Sequence, residues 1–392
     1  MRSQCNELKN QALIKSINRA KILNCIRESK TIARAQIAEK LGLDRKSLTN
    51  FISELQQEGI VLETGKLLSG GLGRPFTMLE FCRDKLVLGI AISPDFVHGV
   101  RMDLYGKIAH SYMCKDAAIA SDRERLFRAV QEVYEKLKPH GGVMGKVGIS
   151  LPGLIDGDGI LVDSANMPSL VGLNCKSGFS FINEEVQVED SSRAALLAEK
   201  WFGVARTVKD IVFVELGTGI GAGIMINNRL FRGGGHFSGE IGHVTVSSQG
   251  GALCRCGKKD CLETFISSPA LLRQINAALG SSYASLDAVP LEVADKIVPL
   301  LSEAGAHLGR ILGMLINVLS PNLIVLSGPL VSRFGGTVLP SMERETEASA
   351  LRHCFSAVKI LPSSLSDIAV LGAGTLALSG LCEVSGYYHI GD

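Results

Sequence analysis

A chain of 392 residues is longer than one hydrophobic core organises and predicts two to three domains. The formal charge of +2 excludes a uniformly basic or acidic chain, yet residues 1–83 hold 14 Lys and Arg against 8 Asp and Glu, while the remainder holds 27 against 31. That asymmetry fits a small nucleic-acid-binding module joined to an ordinary domain, and equally a solvated basic helix face. No apolar run approaches the ~18 residues needed to span a bilayer, and the opening MRSQCNELKNQ lacks the apolar centre of a signal peptide. The expectation is a cytoplasmic protein with no membrane partner, whose ten cysteines serve as free thiols and metal ligands.

From Gln11 to Glu28 the apolar residues Leu13, Ile14, Ile17, Ile22, Leu23 and Ile26 recur at helical spacing. A second helix is expected from Arg34 to Leu41, broken by Gly42, and Asp44 stands where a cap precedes a third helix running through Glu58. In that third helix Leu48, Ile52 and Leu55 share one stripe, leaving Arg45, Lys46, Ser47, Thr49 and Asn50 on the outward, N-terminal part. Such side chains suit phosphates and base edges. Residues Ile60 to Phe81 alternate around the tip SGGLGRP and predict a two-stranded wing with Arg74 on its arm. A plain three-helix domain would share part of this pattern. The basic charge, the turn and the wing together favour a DNA-binding winged helix-turn-helix.

From Lys85 the rhythm changes to strands: LVLGIAIS, VHGVRMDL, a turn at Tyr105-Gly106, then KIAHSYM, an antiparallel meander. A helix from Ser121 to Lys138 and the strand KVGISLP follow. A second block opens with IVFVELGTGIGAGIMI, turns at Asn227-Asn228 and ends in helices plus the strand NLIVLSG. Two α/β lobes are expected, each opening with a strand, a bend and another strand.

Cys254, Cys256 and Cys261 stand in GGALCRCGKKDCLE, with His243 eleven positions before the first of them. Thiolate and imidazole are the usual ligands of tetrahedral zinc, and four protein ligands close a site, so the expected metal is a structural Zn2+. Reduced cysteines beside a surface histidine are the plainer alternative. The run Glu215 to Gly223 carries four alternating glycines after a strand. It suits close approach to a phosphate or sugar, and equally a tight hairpin. In GEIGH, Glu240 precedes His243 by three residues; the pair suits sugar hydroxyls, or the carboxylate orients the imidazole.

Together these residues resemble the ROK family of repressors, open reading frames and sugar kinases, and within it regulators of the xylose and N-acetylglucosamine repressor type. The resemblance spans nearly the whole chain, through the wing's glycine-arginine-proline, the GTGIG at 217–221 and the GH, CxCG and CLE elements of the zinc motif. It implies a winged helix-turn-helix over residues 1–83, all-α with a small β wing. An α/β actin-like ATPase (ribonuclease H-like) two-lobed domain then follows over 84–392. The small lobe would cover about 84–190 plus the C-terminal helix, and the large lobe about 191–370. It also implies zinc on His243, Cys254, Cys256 and Cys261, and sugar contacts from Asn166, Glu240, His243 and Glu263. Asp190 stands at the family's asparagine and is expected to accept from a bound sugar.

Two departures from the family kinases stand out. Ala91 and Ser93-Pro94 replace the aspartate and glycines of the first phosphate site, and Ser191 occupies the position of the catalytic aspartate. Phosphoryl transfer needs a metal-bound triphosphate and a base, and a neutral serine is a poor base. The expected protein is therefore no enzyme. It is a sugar-responsive repressor, a homodimer or dimer of dimers on a double-stranded operator, with a sugar or sugar derivative as effector. An active sugar kinase with an appended DNA-binding domain, and an adaptor sensing a phosphotransferase-system protein, are the alternatives.

Overall fold

The computed structural model describes residues 2–67, 76–138, 145–175, 177–247 and 252–381. Arg74, expected on the wing arm, lies outside them. The chain opens with α1 (Arg2–Ser29), β1 (Ile32–Ala33), α2 (Arg34–Leu41), α3 (Arg45–Gln57), β2 (Val61–Leu67) and β3 (Phe76–Phe81). The first helix starts earlier than its apolar stripe, because residues 2–10 are mostly good helix formers that extend a helix already nucleated. Gly42 ends α2 in the left-handed region at φ 63°, returning its N–H to the carbonyls of Ala38 and Glu39. The Asp44 carboxylate then accepts from the N–H groups of Lys46 and Ser47 and starts α3. Ile22, Ile26, Ile37, Leu48, Ile52, Leu55 and Leu79 close the small core. The strand β1 was not anticipated; it pairs with β3, giving the order β1-β3-β2.

Next come β4 (Leu86–Ser93), β5 (Phe96–Asp103), β6 (Ile108–Lys115), α4 (Arg123–Leu137), β7 (Val147–Leu151), the hairpin β8 (Leu154–Ile155) and β9 (Leu161–Asp163), β10 (Val186–Asp190) and α5 (Ser191–Phe202). The second block runs β11 (Ile211–Leu216), β12 (Ile220–Ile226), β13 (Arg229–Phe231), α6 (Leu262–Ile266), α7 (Ser268–Leu279), α8 (Val298–Leu319), β14 (Leu323–Ser327), α9 (Pro329–Ser349), α10 (Arg352–Ala357), β15 (Lys359–Pro362) and α11 (Ile368–Leu381). The two five-stranded sheets are ordered β10-β7-β4-β5-β6 and β13-β12-β11-β14-β15. Read from the meander's edge strand, β6 or β13, each runs third, second, first, fourth, fifth in chain order, with an antiparallel meander followed by two parallel strands. One unit is built twice. Its central strands are buried almost end to end and so read as continuous apolar runs, whereas the edge strand β6 faces solvent along most of its length. The helix α11 returns from the second lobe to cover the first sheet, with Gly374 against Gly89 of β4.

The winged head is fused to this body rather than tethered. Its core continues into Val87, Met102, Leu104, Trp201, Leu371 and Leu378. The Tyr105 hydroxyl donates to the Lys30 carbonyl at 2.7 Å and accepts from the Phe81 N–H at 3.0 Å, joining the end of α1 to the wing strand β3. The Arg27 guanidinium lies 4.2 Å from the centroid of the Trp201 ring at the far end of α5. No helix among the described residues is long and apolar enough to cross a membrane.

Candidate functional site

The second lobe sends a loop out between β13 and α6, and its chemistry converges. His243 ends a short 3-10 turn, and Cys261 caps α6. Thr245 bridges to Cys261 and Leu253 to Lys259, so two short bridges draw the cysteines beneath the histidine. One ligand atom from each of His243, Cys254, Cys256 and Cys261 lies within 4.8 Å of every other. His243 Nδ1 stands 3.5 Å from Cys254 Sγ, and Cys256 Sγ stands 3.6 Å from Cys261 Sγ. A tetrahedral zinc with bonds of ~2.3 Å to sulfur sets sulfur atoms about 3.8 Å apart. The donor set and its spacing therefore fit a four-coordinate zinc, with no position left for a catalytic water.

Beside this cluster the lobes face each other across a cleft rich in carboxylates. Asp190 ends β10 and caps α5, its Oδ1 accepting from the N–H of Ser192 at 3.0 Å and of Arg193 at 3.1 Å. Glu240 is pushed up to about 7, first by burial and then by the charge of Asp190, with Glu263 and Asp163 adding to it. The expected ligand residues Asp190 and Glu240 thus share one field with Glu263. The Glu240 carboxylate accepts no hydrogen bond among the described residues, which leaves it for a ligand. Glu263 Oε2 accepts from the Ile220 N–H of the glycine turn at 3.3 Å. Asn166 reaches the same turn from the first lobe, its Nδ2 lying against Gly219. With Nδ1 of His243 turned to a thiol, the opposite ring nitrogen is the one free for a hydroxyl. Carboxylates that cannot all ionise cheaply are suited to hydroxyl donors, not to a triphosphate.

Ala91 and Ser191 both bond or pack within the protein. Ala91 is buried with Val100 and Val370 in a small apolar cluster. Ser191 is the first residue of α5, and its hydroxyl donates to Glu215 at 3.2 Å, beside Ser192 at 2.9 Å. Burial, reinforced by Asp190, raises the Glu215 carboxyl above its ordinary range.

The sequence offered Arg193 a salt bridge at the start of its helix, which the structure contains, but did not mark its partner Glu189 as the tie that holds this cleft. Glu189 is fully enclosed by two cations, Arg193 at 2.8 Å and Arg232 at 2.7 Å. Burial opposes its ionisation, but the two guanidinium groups prevail and draw it down to about 2. Arg193 also donates to the carbonyls of His236 at 3.2 Å and Ser238 at 3.4 Å, tying the loop before Glu240 to α5. The four-residue spacing of Glu189 and Arg193 was a visible signal; Arg232 gave none, because only the fold brings it near.

On the head, Arg45, Lys46, Thr49 and Asn50 are exposed and Ser47 is half-buried, while Leu48, Phe51, Ile52 and Leu55 face inward. The Thr49 hydroxyl donates to the Arg45 carbonyl at 2.8 Å. Neighbouring cations are neutralised, Arg34 by Glu63 and Arg19 by Glu58. Arg45 and Lys46 form no ion pair among the described residues.

Comparison with known proteins agrees with both halves. Residues 95–379 match the ROK family and residues 15–63 the MarR family. The chain is 29% identical over 402 residues to the xylose repressor of Caldicellulosiruptor bescii, covering 96% of this chain and 99% of that one. It is 26% identical over 393 residues to the N-acetylglucosamine repressor of Escherichia coli O157:H7, covering 94% of each. A solved ROK family transcriptional regulator, a homologue of the E. coli MLC protein, superposes with a TM-score of 0.78 at 24% identity over 95% of this chain and 98% of that one.

Proposed function

Because the chain belongs to the ROK family, we propose that it is a sugar-responsive transcriptional repressor whose kinase fold senses its ligand without phosphorylating it. Residues 1–83 form the DNA-binding unit and residues 84–392 the sensor, acting in the cytoplasm as a homodimer on a symmetric operator. The N-terminal part of α3 enters the major groove, with Arg45, Lys46, Ser47 and Asn50 toward phosphates and base edges; Thr49 contributes its methyl, its hydroxyl being occupied. Arg74 extends the contact beyond the groove, as a wing arm does. Asn166, Asp190, Glu240, His243 and Glu263 receive a neutral sugar, and the relatives named for xylose and for N-acetylglucosamine supply the two first candidates.

His243, Cys254, Cys256 and Cys261 would hold a structural zinc, which supplies no chemistry beyond fixing the loop that carries His243 and leads into Glu263. Loss of transfer follows from Ala91 and Ser191: β4 carries no metal-binding carboxylate, position 191 holds no base, and the neighbouring Asp190 carboxylate is turned to the first N–H groups of α5.

One observation carries the reading: α5 runs from the ligand cleft to the head. Its cap is Asp190, and twelve residues later it ends beneath Arg27 of α1. A ligand that prefers one setting of Asp190 also moves Trp201, and so biases the placement of the two heads. Fluorescence anisotropy with a labelled operator, selected from a random DNA library, tests this. Addition of D-xylose or N-acetyl-D-glucosamine is expected to weaken binding about tenfold or more. Selection of no operator sequence by the full chain would refute it.

A further inference from the structure

Arg255 stands between two of the four clustered donors, on an exposed part of the second lobe, yet its guanidinium reaches the first lobe. Its Nη1 donates to the Ala165 carbonyl at 3.0 Å and to Asn166 Oδ1 at 2.9 Å. Arginine offers donors and no acceptor, so Asn166 must turn its carbonyl oxygen to Arg255 and its amide nitrogen the other way. On that other side lies Gly219, where an added Cβ would meet Asn166 Nδ2 at 2.9 Å and Glu263 Oε2 at 3.4 Å. The Asn166 loop is therefore clamped between Arg255 and the glycine turn, both parts of the second lobe.

We infer that Arg255 is a positioning residue that staples the cleft closed and sets the Asn166 amide to donate toward the ligand. The inference rests on the sugar-sensing reading, which makes Asn166 a ligand contact. A fixed donor at Asn166 facing acceptors at Asp190, Glu240 and Glu263 selects a ligand whose hydroxyls can both accept and donate, and disfavours an anion. It also links the metal loop to the cleft: the ligands on either side of Arg255 hold the backbone from which the staple reaches across. Opening the lobes breaks two hydrogen bonds from a charged donor, each stronger than a neutral one.

The test uses the full-length, zinc-loaded protein with Arg255→Ala and Arg255→Lys. Metal content is measured first, then the affinity for D-xylose and for N-acetyl-D-glucosamine by calorimetry, then hydrogen exchange of residues 161–172 without sugar. The Ala variant is expected to keep its zinc, to bind whichever sugar the wild type binds about tenfold more weakly, and to exchange faster over 161–172. The Lys variant, able to reach one acceptor, should fall between. Unchanged affinity with unchanged exchange would overturn the staple, and so would loss of zinc from both variants, which would assign Arg255 to the metal loop alone. If the wild type binds neither sugar, it is the choice of these sugars that fails, and the exchange of 161–172 still decides the role of Arg255.

Discussion

The two lobes share one strand order and differ at one turn. In the first lobe, β4 and β5 meet at Ser93-Pro94-Asp95, with Ser93 opposite Phe96 and Ala91 buried in an apolar cluster. Proline has no N–H to offer an anion, and a buried alanine holds no cation. In the second lobe, the equivalent turn keeps its glycines, but they serve the protein: the Gly217 N–H goes to the Gly219 carbonyl at 3.0 Å and the Ile220 N–H to Glu263. Two amides of this turn are thus already occupied, and it seats Asn166 and Glu263 beside the cleft. The same fold thus closes one turn with an apolar cluster and a proline and the other with glycines that bind back to the protein.

Substitutions in the two lobes separate these roles. The largest effect is expected from Cys256→Ser, which removes one ligand from the second lobe's loop. Elemental analysis should find about one zinc per wild-type chain and none in the variant, with a stability loss of several kcal/mol, as structural zinc is worth ~10 kcal/mol or more in the smallest domains. A wild type that is stable and metal-free contradicts the site.

Next is Glu189→Gln, which cuts the tie between the first lobe's last strand and Arg232 of the second. Removing the one charge that neutralises both guanidinium groups should cost about 3–5 kcal/mol in denaturant unfolding. The folded-state pKa of Glu189 is drawn below the ordinary value by the two guanidinium groups, so the stabilisation is complete above pH ~4.5 and is lost as pH falls toward 2. The acid dependence of stability in that window should flatten in the variant; an unchanged profile would show that Glu189 does not carry it.

Arg27→Ala should be milder, at about 0.5–2 kcal/mol for a lost cation–π contact. Sugar affinity should hold while the effect of sugar on DNA binding shrinks. Equal coupling in both proteins would exclude Trp201 as the route. Smallest of all is the restoration of the first turn by Ala91→Asp with Ser93→Gly and Pro94→Gly. No sugar phosphorylation from labelled ATP is expected, because Ser191 still supplies no base; clear transfer would place the loss in the first turn alone and remove Ser191 from it.

Much of this was legible in the sequence, for physical reasons that differ by residue. The stripe Leu48, Ile52, Leu55 and the cap at Asp44 are local and repeat at the period of the helix, so α3 and its outward face were readable. The cysteine spacing constrains a loop so tightly that the cluster was readable before any fold. The strand β1 was too short to carry a period. Ser191 was flagged as a substitution, yet its bond to Glu215 depends on β11 packing beside α5, which no local pattern encodes. The same holds for Arg232 on Glu189, Arg27 on Trp201 and Arg255 on Asn166. Each pair joins segments far apart in the chain, and together these contacts bind the lobes and the head.

Sugar is expected to act on DNA binding through the fold and not through phosphoryl transfer. The direct measurement is operator anisotropy during sugar titration, run with and without magnesium and ATP. The same shift in DNA affinity is expected at the same sugar concentration in both conditions. A shift that appears only with ATP, accompanied by ADP release, would contradict it.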